Sequence, residues 1–164
     1  MTDIVTPAVR SRIMSRIRGR DTQPEVTLRR GLHACGFRYR LHERRLPGRP
    51  DLVFAKWRAV VFVHGCFWHR HRGCPKTTRP KSRVSFWRSK FSENTARDRR
   101  QIRALRAVDW RVLVVWECAL SDPKSRARTI AQAARWIPTS RKYAEIPPAR
   151  PRAQSESRGK RHRH

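Results

Sequence analysis

The run Arg111-Val-Leu-Val-Val-Trp-Glu117 constrains the fold of this chain more than any other stretch. It is short and almost entirely apolar, and strands of this kind are typically central in a sheet and covered on both faces. Apolar residues recur at helical spacing over 86–107, immediately before it. A helix of that length can connect two parallel strands by a crossover. The two segments together predict a layered α/β domain.

A helix and a strand are predicted nearer the start of the chain. Thr22 followed by Glu25 predicts a helix start with a capping box, and Gly36 predicts the helix end, so this helix covers roughly residues 23–35. Apolar and polar residues then alternate over 37–42. That alternation predicts a half-buried strand.

A β-hairpin and a last helix complete the predicted elements. The hairpin strands are the apolar runs 51–55 and 59–64, separated by the polar residues 56–58. The last helix begins at Pro123 and ends near Trp136. The resulting order α-β-β-β-α-β-α predicts a mixed β-sheet flanked by helices.

The charge of the chain points to a polyanionic partner. Its 164 residues include 40 Lys and Arg against 12 Asp and Glu, a net charge of +28, which is far more than an acidic small molecule would require. A hydrophobic fraction of 38% still supports a folded core. The chain has neither an apolar run of membrane-spanning length nor the apolar region of a signal peptide. We therefore expect a cytoplasmic protein whose cysteines are thiols or metal ligands.

Three segments differ in charge and composition. Residues 1–20 form a basic arm with the pattern of a short amphipathic helix, which is either a solvated first helix or a DNA contact. Arg16 and Arg20 are the candidate DNA-binding residues of this arm. Residues 21–137 form the globular body, and 138–164 form a basic, proline-rich tail.

The tail lacks the apolar residues needed to offset the entropy of ordering, and we expect it to be disordered. Its cations would then strengthen binding to all DNA through the phosphates. The competing interpretation is that the tail packs on the body through Tyr143 and Ile146.

Two carboxylates are candidates for metal or acid–base chemistry. If Ala55 pairs with Ala59 in the hairpin, Asp51 lies opposite Val63, and a carboxylate beside a main-chain carbonyl suits Mg²⁺. Glu25 shares a helix face with Leu28 and is expected to be buried. It is either a capping-box residue or a catalytic one.

A histidine pair follows the second hairpin strand. His64 ends that strand, and His69 lies in the loop beyond it. Imidazole can take a proton from water or give one to a leaving oxygen, and phosphodiester hydrolysis requires both transfers. The pair therefore favours a catalytic role close to Asp51.

Three cysteines and a histidine have the donor atoms of a structural zinc site. Cys66, His71, Cys74 and Cys118 supply four sulfur and nitrogen ligands, the set that tetrahedral Zn²⁺ requires. The alternative is a group of buried free thiols with a surface histidine. In either case Cys35 is left over and is expected to be a core thiol.

Large aromatic residues stand among arginines near these sites. Phe67 and Trp68 fall in the predicted loop between Cys66 and His71, and Trp87 follows in the next helix. Core packing is the default role of an aromatic side chain. A loop position among cations instead suits a wedge that unstacks a DNA base step.

Four stretches, which follow one another in the family's order along the chain, closely resemble the very short patch repair (Vsr) family of DNA mismatch endonucleases. They are LPGRPDLVF at 46–54, VVFVHGCFWH at 60–69, NTARDRR at 94–100 and WRVLVVWEC at 110–118. The resemblance covers roughly residues 9–137. It implies a restriction-endonuclease-like fold, a structural zinc, and Mg²⁺-dependent nicking on the 5′ side of the T in T:G mismatches, which arise when 5-methylcytosine is deaminated.

The same resemblance implies a role for each candidate residue. Asp51 and the main-chain carbonyl of Val63 would bind Mg²⁺, and Asp98 is our candidate to orient His69. The other implied sets are Glu25, His64 and His69 for catalysis; Cys66, His71, Cys74 and Cys118 for zinc; and Phe67, Trp68 and Trp87 for the wedge. The implied substrate is mismatched duplex DNA, cut by a monomer at the bacterial nucleoid. A functional link to a DNA cytosine-5 methyltransferase and to the mismatch-repair machinery is also implied.

The chain departs from the expected patterns at three positions. Nucleases of the wider superfamily carry a second carboxylate and a lysine where this chain has Val63 and Gly65, so the histidines must move the protons. Many Vsr proteins have Thr where Val63 stands. Arg72-Gly73 sets a loop length between His71 and Cys74 that could alter the zinc geometry.

Two other functions remain compatible with the residues. One is a restriction-type nuclease that cuts both strands of undamaged DNA. The other is a non-catalytic DNA-binding module that a zinc ion stabilises. Metal-dependent cleavage of DNA would distinguish the mismatch endonuclease and the restriction-type nuclease from this module.

Overall fold

A five-stranded mixed sheet forms the centre of the computed structural model, which describes residue 8 and residues 19–149. The strands lie side by side in chain order. They are β1 (Arg40–Leu41), β2 (Leu52–Phe54), β3 (Ala59–His64), β4 (Arg111–Trp116) and β5 (Tyr143–Ile146). Strands β1, β2 and β3 pair antiparallel, whereas β3, β4 and β5 pair parallel. The predicted mixed sheet is confirmed.

Within residues 19–149, four helices surround the sheet. They are α1 (Gln23–Ala34), α2 (Cys66–His69), α3 (Val84–Ala107) and α4 (Pro123–Trp136). The 24-residue helix α3 makes the predicted parallel crossover from β3 to β4. None of the helices in the described residues is both long and apolar enough to cross a membrane.

Side-chain oxygens cap α1 and α4 where the sequence predicts their starts. Thr22 accepts a hydrogen bond from the main-chain N–H of Glu25, and Asp122 accepts one from that of Ser125. A proline in the first turn of each helix costs no hydrogen bond, because N–H groups there have no intrahelical partner.

The sheet is covered on both faces. Helices α1 and α4 pack on one face, where Leu32 and Ile137 join Leu113 of β4 in one apolar cluster. On the other face Leu105 of α3 packs with Val112 of β4. All six residues of β4 are therefore buried, as its apolar run predicts.

The hairpin register differs by one residue from the predicted pairing. Phe54, not Ala55, is the partner of Ala59. The turn takes four residues because Ala55–Trp57 forms a 3₁₀ turn that ends at Arg58 in a left-handed conformation with φ 44°. Asp51 nevertheless reaches Val63 through its side chain.

Two further predictions at this end of the fold were wrong. The predicted strand 37–42 is reduced to the two residues of β1, because Phe37 and Tyr39 instead pack edge-on against Phe54. Cys35 follows the last turn of α1 and is exposed, so it is not a core thiol.

Part of the tail folds, which corrects the prediction that it is disordered. Residues 143–146 form β5 beside β4, with Ile146 buried at 8% exposure. The indole N–H of Trp116 donates to Glu145 Oε2 at 3.1 Å. A strand of four residues that is followed directly by Pro147 and Pro148 gives no clear strand pattern in the sequence. Residues 150–164, and residues 1–7 and 9–18 of the basic arm, lie outside the described residues.

A chain that ends at Ile137 is expected to melt roughly 5–10 °C below one that ends at Ala149. It loses the strand pairing of β5 and the burial of Ile146, worth about 1.5–3 kcal/mol, and 1 kcal/mol moves the melting temperature by a few degrees. Calorimetry on both chains checks this, since only the shorter one lacks β5. Equal melting temperatures would mean that β5 contributes nothing to stability.

Candidate active site

A cleft of about 1460 Å³ opens where α1, β2, β3 and α3 meet. It lies at the end of the sheet where β3 stops and β2 begins. Its lining includes the following sequence-predicted residues: Arg20, Glu25, Asp51, Val63, His64, Trp68, His69 and Asp98. Arg20 is exposed at the rim, whereas Arg16 lies outside the described residues. The fold thus brings the candidate catalytic residues together around one space.

Asp51 is the most perturbed carboxylate of the cleft. Its side chain is 14% exposed, and its Oδ2 accepts a 2.7 Å hydrogen bond from the main-chain N–H of Val63. Burial, with a further contribution from the negative charge of Glu25, raises the pKa of Asp51 to about 7, and the Val63 bond opposes this rise. A carboxylate in such surroundings gains more from a bound cation than an exposed one does.

Glu25 serves both as a cap and as part of the cleft wall. Its Oε2 accepts a 2.9 Å bond from the main-chain N–H of Asp21, and its Oε1 lies 3.2 Å from the hydroxyl of Thr22. Glu25 thus caps the start of α1, but through the N–H of Asp21 and not through that of the N-cap residue Thr22, as the predicted capping box would require. At 4% exposure Glu25 also stands close enough to Asp51 to raise the pKa of that carboxyl.

His64 and His69 stack on each other at the opposite wall. Their ring centroids are 3.9 Å apart and the planes differ by 6°. Burial, with the adjacent His69, lowers the pKa of His64 to about 3, so His64 is neutral at physiological pH.

Asp98 on α3 forms a hydrogen bond with the His69 ring. His69 Nδ1 lies 2.6 Å from Asp98 Oδ2. Burial is the largest single influence and would raise the pKa of Asp98, but the bond from His69 and the electrostatic effects of His69, His64 and Arg97 together keep the pKa below its usual value. An ionised Asp98 accepts a hydrogen bond from the Nδ1–H group, which leaves Nε2 as the nitrogen of neutral His69 that can accept a proton.

Cys66, His71, Cys74 and Cys118 converge beside this cleft. Their ligand atoms all lie within 4.8 Å of one another. His71 Nδ1 is 3.4 Å from the sulfur of Cys118 and 3.6 Å from that of Cys66, close to the roughly 3.5 Å between sulfur and nitrogen ligands of a tetrahedral Zn²⁺. Burial raises the pKa of both these thiols, so free thiolates are disfavoured here and a metal that binds the cluster must displace the thiol protons. The donor set fits a closed metal site.

The loop between His71 and Cys74 does not separate these ligands. Gly73 adopts φ 72°, a left-handed conformation that glycine takes without steric cost, and the chain turns back there. His71 also stacks on the indole of Trp116 at 4.3 Å.

The aromatic residues form a half-buried cluster at the edge of the cleft. Phe67 contacts Trp68, Trp87 and Phe91 at centroid distances of 5.2, 5.6 and 5.1 Å. Phe67 and Trp68 lie on helix α2 and not in the predicted loop. The Arg70 guanidinium lies 4.0 Å from the centre of the Phe91 ring. The cluster is thus continuous with a cationic surface.

Two polar residues of the cleft were not singled out from the sequence. Asn94, buried in α3, donates to the main-chain oxygen of Trp68 at 3.2 Å. His42 Nδ1 lies 3.7 Å from Asp51 Oδ1. The signal for Asn94 was its spacing four residues before Asp98 on one helix face. His42 occupied a polar position of the alternating stretch, which was interpreted as solvent-facing.

Comparison with known proteins identifies the family. The family model described as DNA mismatch endonuclease Vsr matches residues 2–76. The chain is 51% identical over 122 residues to the Type II nicking enzyme V.XorIIP of Xanthomonas oryzae pv. oryzae, covering 74% of this chain and 89% of that protein. The chain belongs to the Vsr family. The predicted resemblance is confirmed, and membership of the Vsr family makes the protein a DNA endonuclease.

Two other Vsr relatives extend the match beyond a single genus. The Type II nicking enzyme V.NmeAIP of Neisseria meningitidis is 44% identical over 122 residues, 74% of this chain and 86% of that protein. The DNA mismatch endonuclease Vsr of Escherichia coli is 46% identical over 120 residues, 73% and 76% of the two chains. Vsr similarity therefore spans most of the described chain.

Proposed function

We propose that the protein nicks duplex DNA on the 5′ side of the T in T:G mismatches, in the bacterial cytoplasm and as a monomer. The observation that carries the proposal is the cleft. It is lined by the buried carboxylates Glu25 and Asp51 and by His69, whose ring is bound by Asp98. The aromatic cluster stands at its edge. Such mismatches arise by deamination of 5-methylcytosine, so a DNA cytosine-5 methyltransferase and the mismatch-repair machinery are the expected functional partners.

Asp51 and the main-chain carbonyl of Val63 are the proposed Mg²⁺ ligands. Both supply oxygen atoms, which Mg²⁺ prefers as ligands, and Asp51 is held at Val63 by the hydrogen bond from the Val63 N–H. When bound, the cation supplies positive charge to the phosphate that is cut. The restriction-endonuclease-like fold proposed for this sheet would normally add a second carboxylate and a lysine, but Val63 and Gly65 occupy those positions here.

His69 is the proposed general base. With its Nδ1 hydrogen directed to Asp98, the Nε2 atom can take the proton of the attacking water, and the carboxylate stabilises the imidazolium that forms. The neutral ring of His64 stacks against His69 and restricts its movement. Attack on the phosphorus would release the 3′ oxygen and leave a 5′-phosphate at the nick.

The aromatic cluster is the proposed mismatch reader. Replacing both Phe67 and Trp68 with Ala is expected to reduce the ratio of T:G to T:A cleavage about tenfold or more, with less effect on DNA affinity. A wedge opens a mismatched step more cheaply than a paired one, because less pairing and stacking is lost. Initial rates on duplexes that differ only in a T:G or a T:A pair measure the ratio, with Val108→Ala, an exposed apolar residue outside the aromatic cluster, as the control. An unchanged ratio would make Phe67 and Trp68 packing residues only.

The four cysteine and histidine ligands are proposed to bind a structural Zn²⁺. They would tie α2, which carries Phe67 and His69, to the end of β4. The metal thereby supports both the wedge and the general base without taking part in the reaction.

A supercoiled plasmid with one T:G mismatch distinguishes the proposed function from the alternatives. Nicking converts it to the open circle and maps to one phosphate, 5′ to the mismatched T. A restriction-type nuclease would produce linear DNA, also from a fully paired plasmid. A binding module would leave the plasmid intact in the presence of Mg²⁺.

A further inference from the structure

The His42 ring lies among three carboxylates in the cleft. Its Nδ1 is 3.7 Å from Asp51 Oδ1, and its Nε2 is 3.8 Å from Glu25 Oε2 and 3.6 Å from Asp21 Oδ1. The side chain is only 15% exposed, and Nε2 is buried without a hydrogen-bond partner within 3.5 Å among the described residues. An imidazole therefore separates the proposed metal ligand from Glu25.

The backbone of His42 is tied to the same metal ligand. Its main-chain N–H donates to the main-chain oxygen of Asp51 at 3.3 Å. The residue has φ 47°, a left-handed conformation that is uncommon outside glycine, although histidine adopts it more readily than most side chains do. Such conformations persist where the surrounding structure fixes them, and they are concentrated at functional sites. Backbone and ring thus both hold His42 against Asp51.

We propose that His42 is a positioning residue, which sets the orientation of Asp51 and keeps Glu25 apart from it so that Asp51 can take the divalent cation. This inference rests on the proposed function. An imidazole carries a hydrogen on at least one ring nitrogen in every protonation state, and each nitrogen faces a carboxylate here. Val63 holds Oδ2 of Asp51 and His42 faces Oδ1, so each oxygen keeps a lone pair for the metal.

Binding of Mn²⁺ to the zinc-loaded full chain, followed by electron paramagnetic resonance without DNA, tests the inference. Asp51→Asn marks the site and is expected to abolish this binding. His42→Leu is expected to weaken it about 10-fold or more, the usual cost of removing a partner that orients a ligand. The exposed His33→Leu is the matched control and should bind as the wild type does.

Two amide variants test the two ring nitrogens separately, and their melting temperatures are measured alongside because Asn tolerates the left-handed backbone of residue 42 better than Gln does. Asn places its amide near the Nδ1 position, which faces Asp51, and Gln places it near Nε2, which faces Glu25. His42→Asn is therefore expected to bind Mn²⁺ several-fold more tightly than His42→Gln, whether or not the leucine variant folds. In nicking assays the Mg²⁺ concentration that gives half the maximal rate should be higher for His42→Gln than for His42→Asn. The kcat at saturating Mg²⁺ should change less than about threefold in either variant.

Each contrary result overturns a defined claim. Wild-type Mn²⁺ affinity in His42→Leu, or equal affinity of the two amide variants, overturns the positioning role. Nitrogen coupling to the bound Mn²⁺ that is present in the wild type and absent from His42→Leu would make His42 a ligand and overturn it as well. If Asp51→Asn binds Mn²⁺ as the wild type does, the proposed metal site fails together with the inference.

Discussion

Asp51→Asn is expected to lower the nicking rate by about 10³-fold or more and to leave DNA affinity within about twofold. The amide keeps the size of the side chain but removes the charge that would hold Mg²⁺. Loss of about 4 kcal/mol of charge stabilisation in the transition state corresponds to about 10³ in rate. DNA affinity depends on the basic surface, which the substitution leaves unchanged. Single-turnover nicking and a filter-binding titration measure the two quantities.

Asp109→Asn is the matched control for this variant. Asp109 is exposed in the turn between α3 and β4 and has φ 61°, a conformation that Asn tolerates well. The control removes the same charge outside the residues that line the cleft and should nick at the wild-type rate. Near wild-type nicking by Asp51→Asn would mean that the reaction takes place elsewhere.

Cys118→Ser is expected to reduce bound zinc from about one ion per chain to almost none and to unfold the protein near room temperature. Structural zinc sites contribute an apparent 10–16 kcal/mol in small zinc-binding peptides, whereas whole domains are stable by only about 5–15 kcal/mol. Metal analysis and a thermal melt of the purified variant measure both effects.

Cys35→Ser provides the comparison for the zinc prediction. Cys35 is exposed and does not belong to the ligand cluster, so its replacement should preserve both the zinc content and the melting temperature. A Cys118→Ser protein that lacks metal and melts like the wild type would contradict a structural role of zinc.

The sequence predicted the elements whose signals are local. The apolar run of β4, the long amphipathic helix α3 and the Asp-Pro start of α4 each have a pattern that only one structure satisfies well. The candidate metal site was also recognisable, because few roles require three cysteines and a histidine so close to a strand end.

Features that depend on contacts between distant segments were not predictable in this way. Strand β5 exists because β4 offers an open edge and Trp116 a donor for Glu145, and neither is visible in the tail itself. The role of His42 likewise depends on a left-handed residue that turns a solvent-side position into the cleft. The hairpin register depended on the 3₁₀ turn at Ala55–Trp57.

The most direct test of the account is the initial rate of nicking on two end-labelled duplexes that differ only in a T:G or a T:A pair. Each is incubated with Mg²⁺ or with EDTA. The account predicts a single cut in the T-containing strand, 5′ to that T, on the T:G duplex with Mg²⁺, and little or no product under the other three conditions. Equal cutting of both duplexes, or cutting that persists in EDTA, would contradict it.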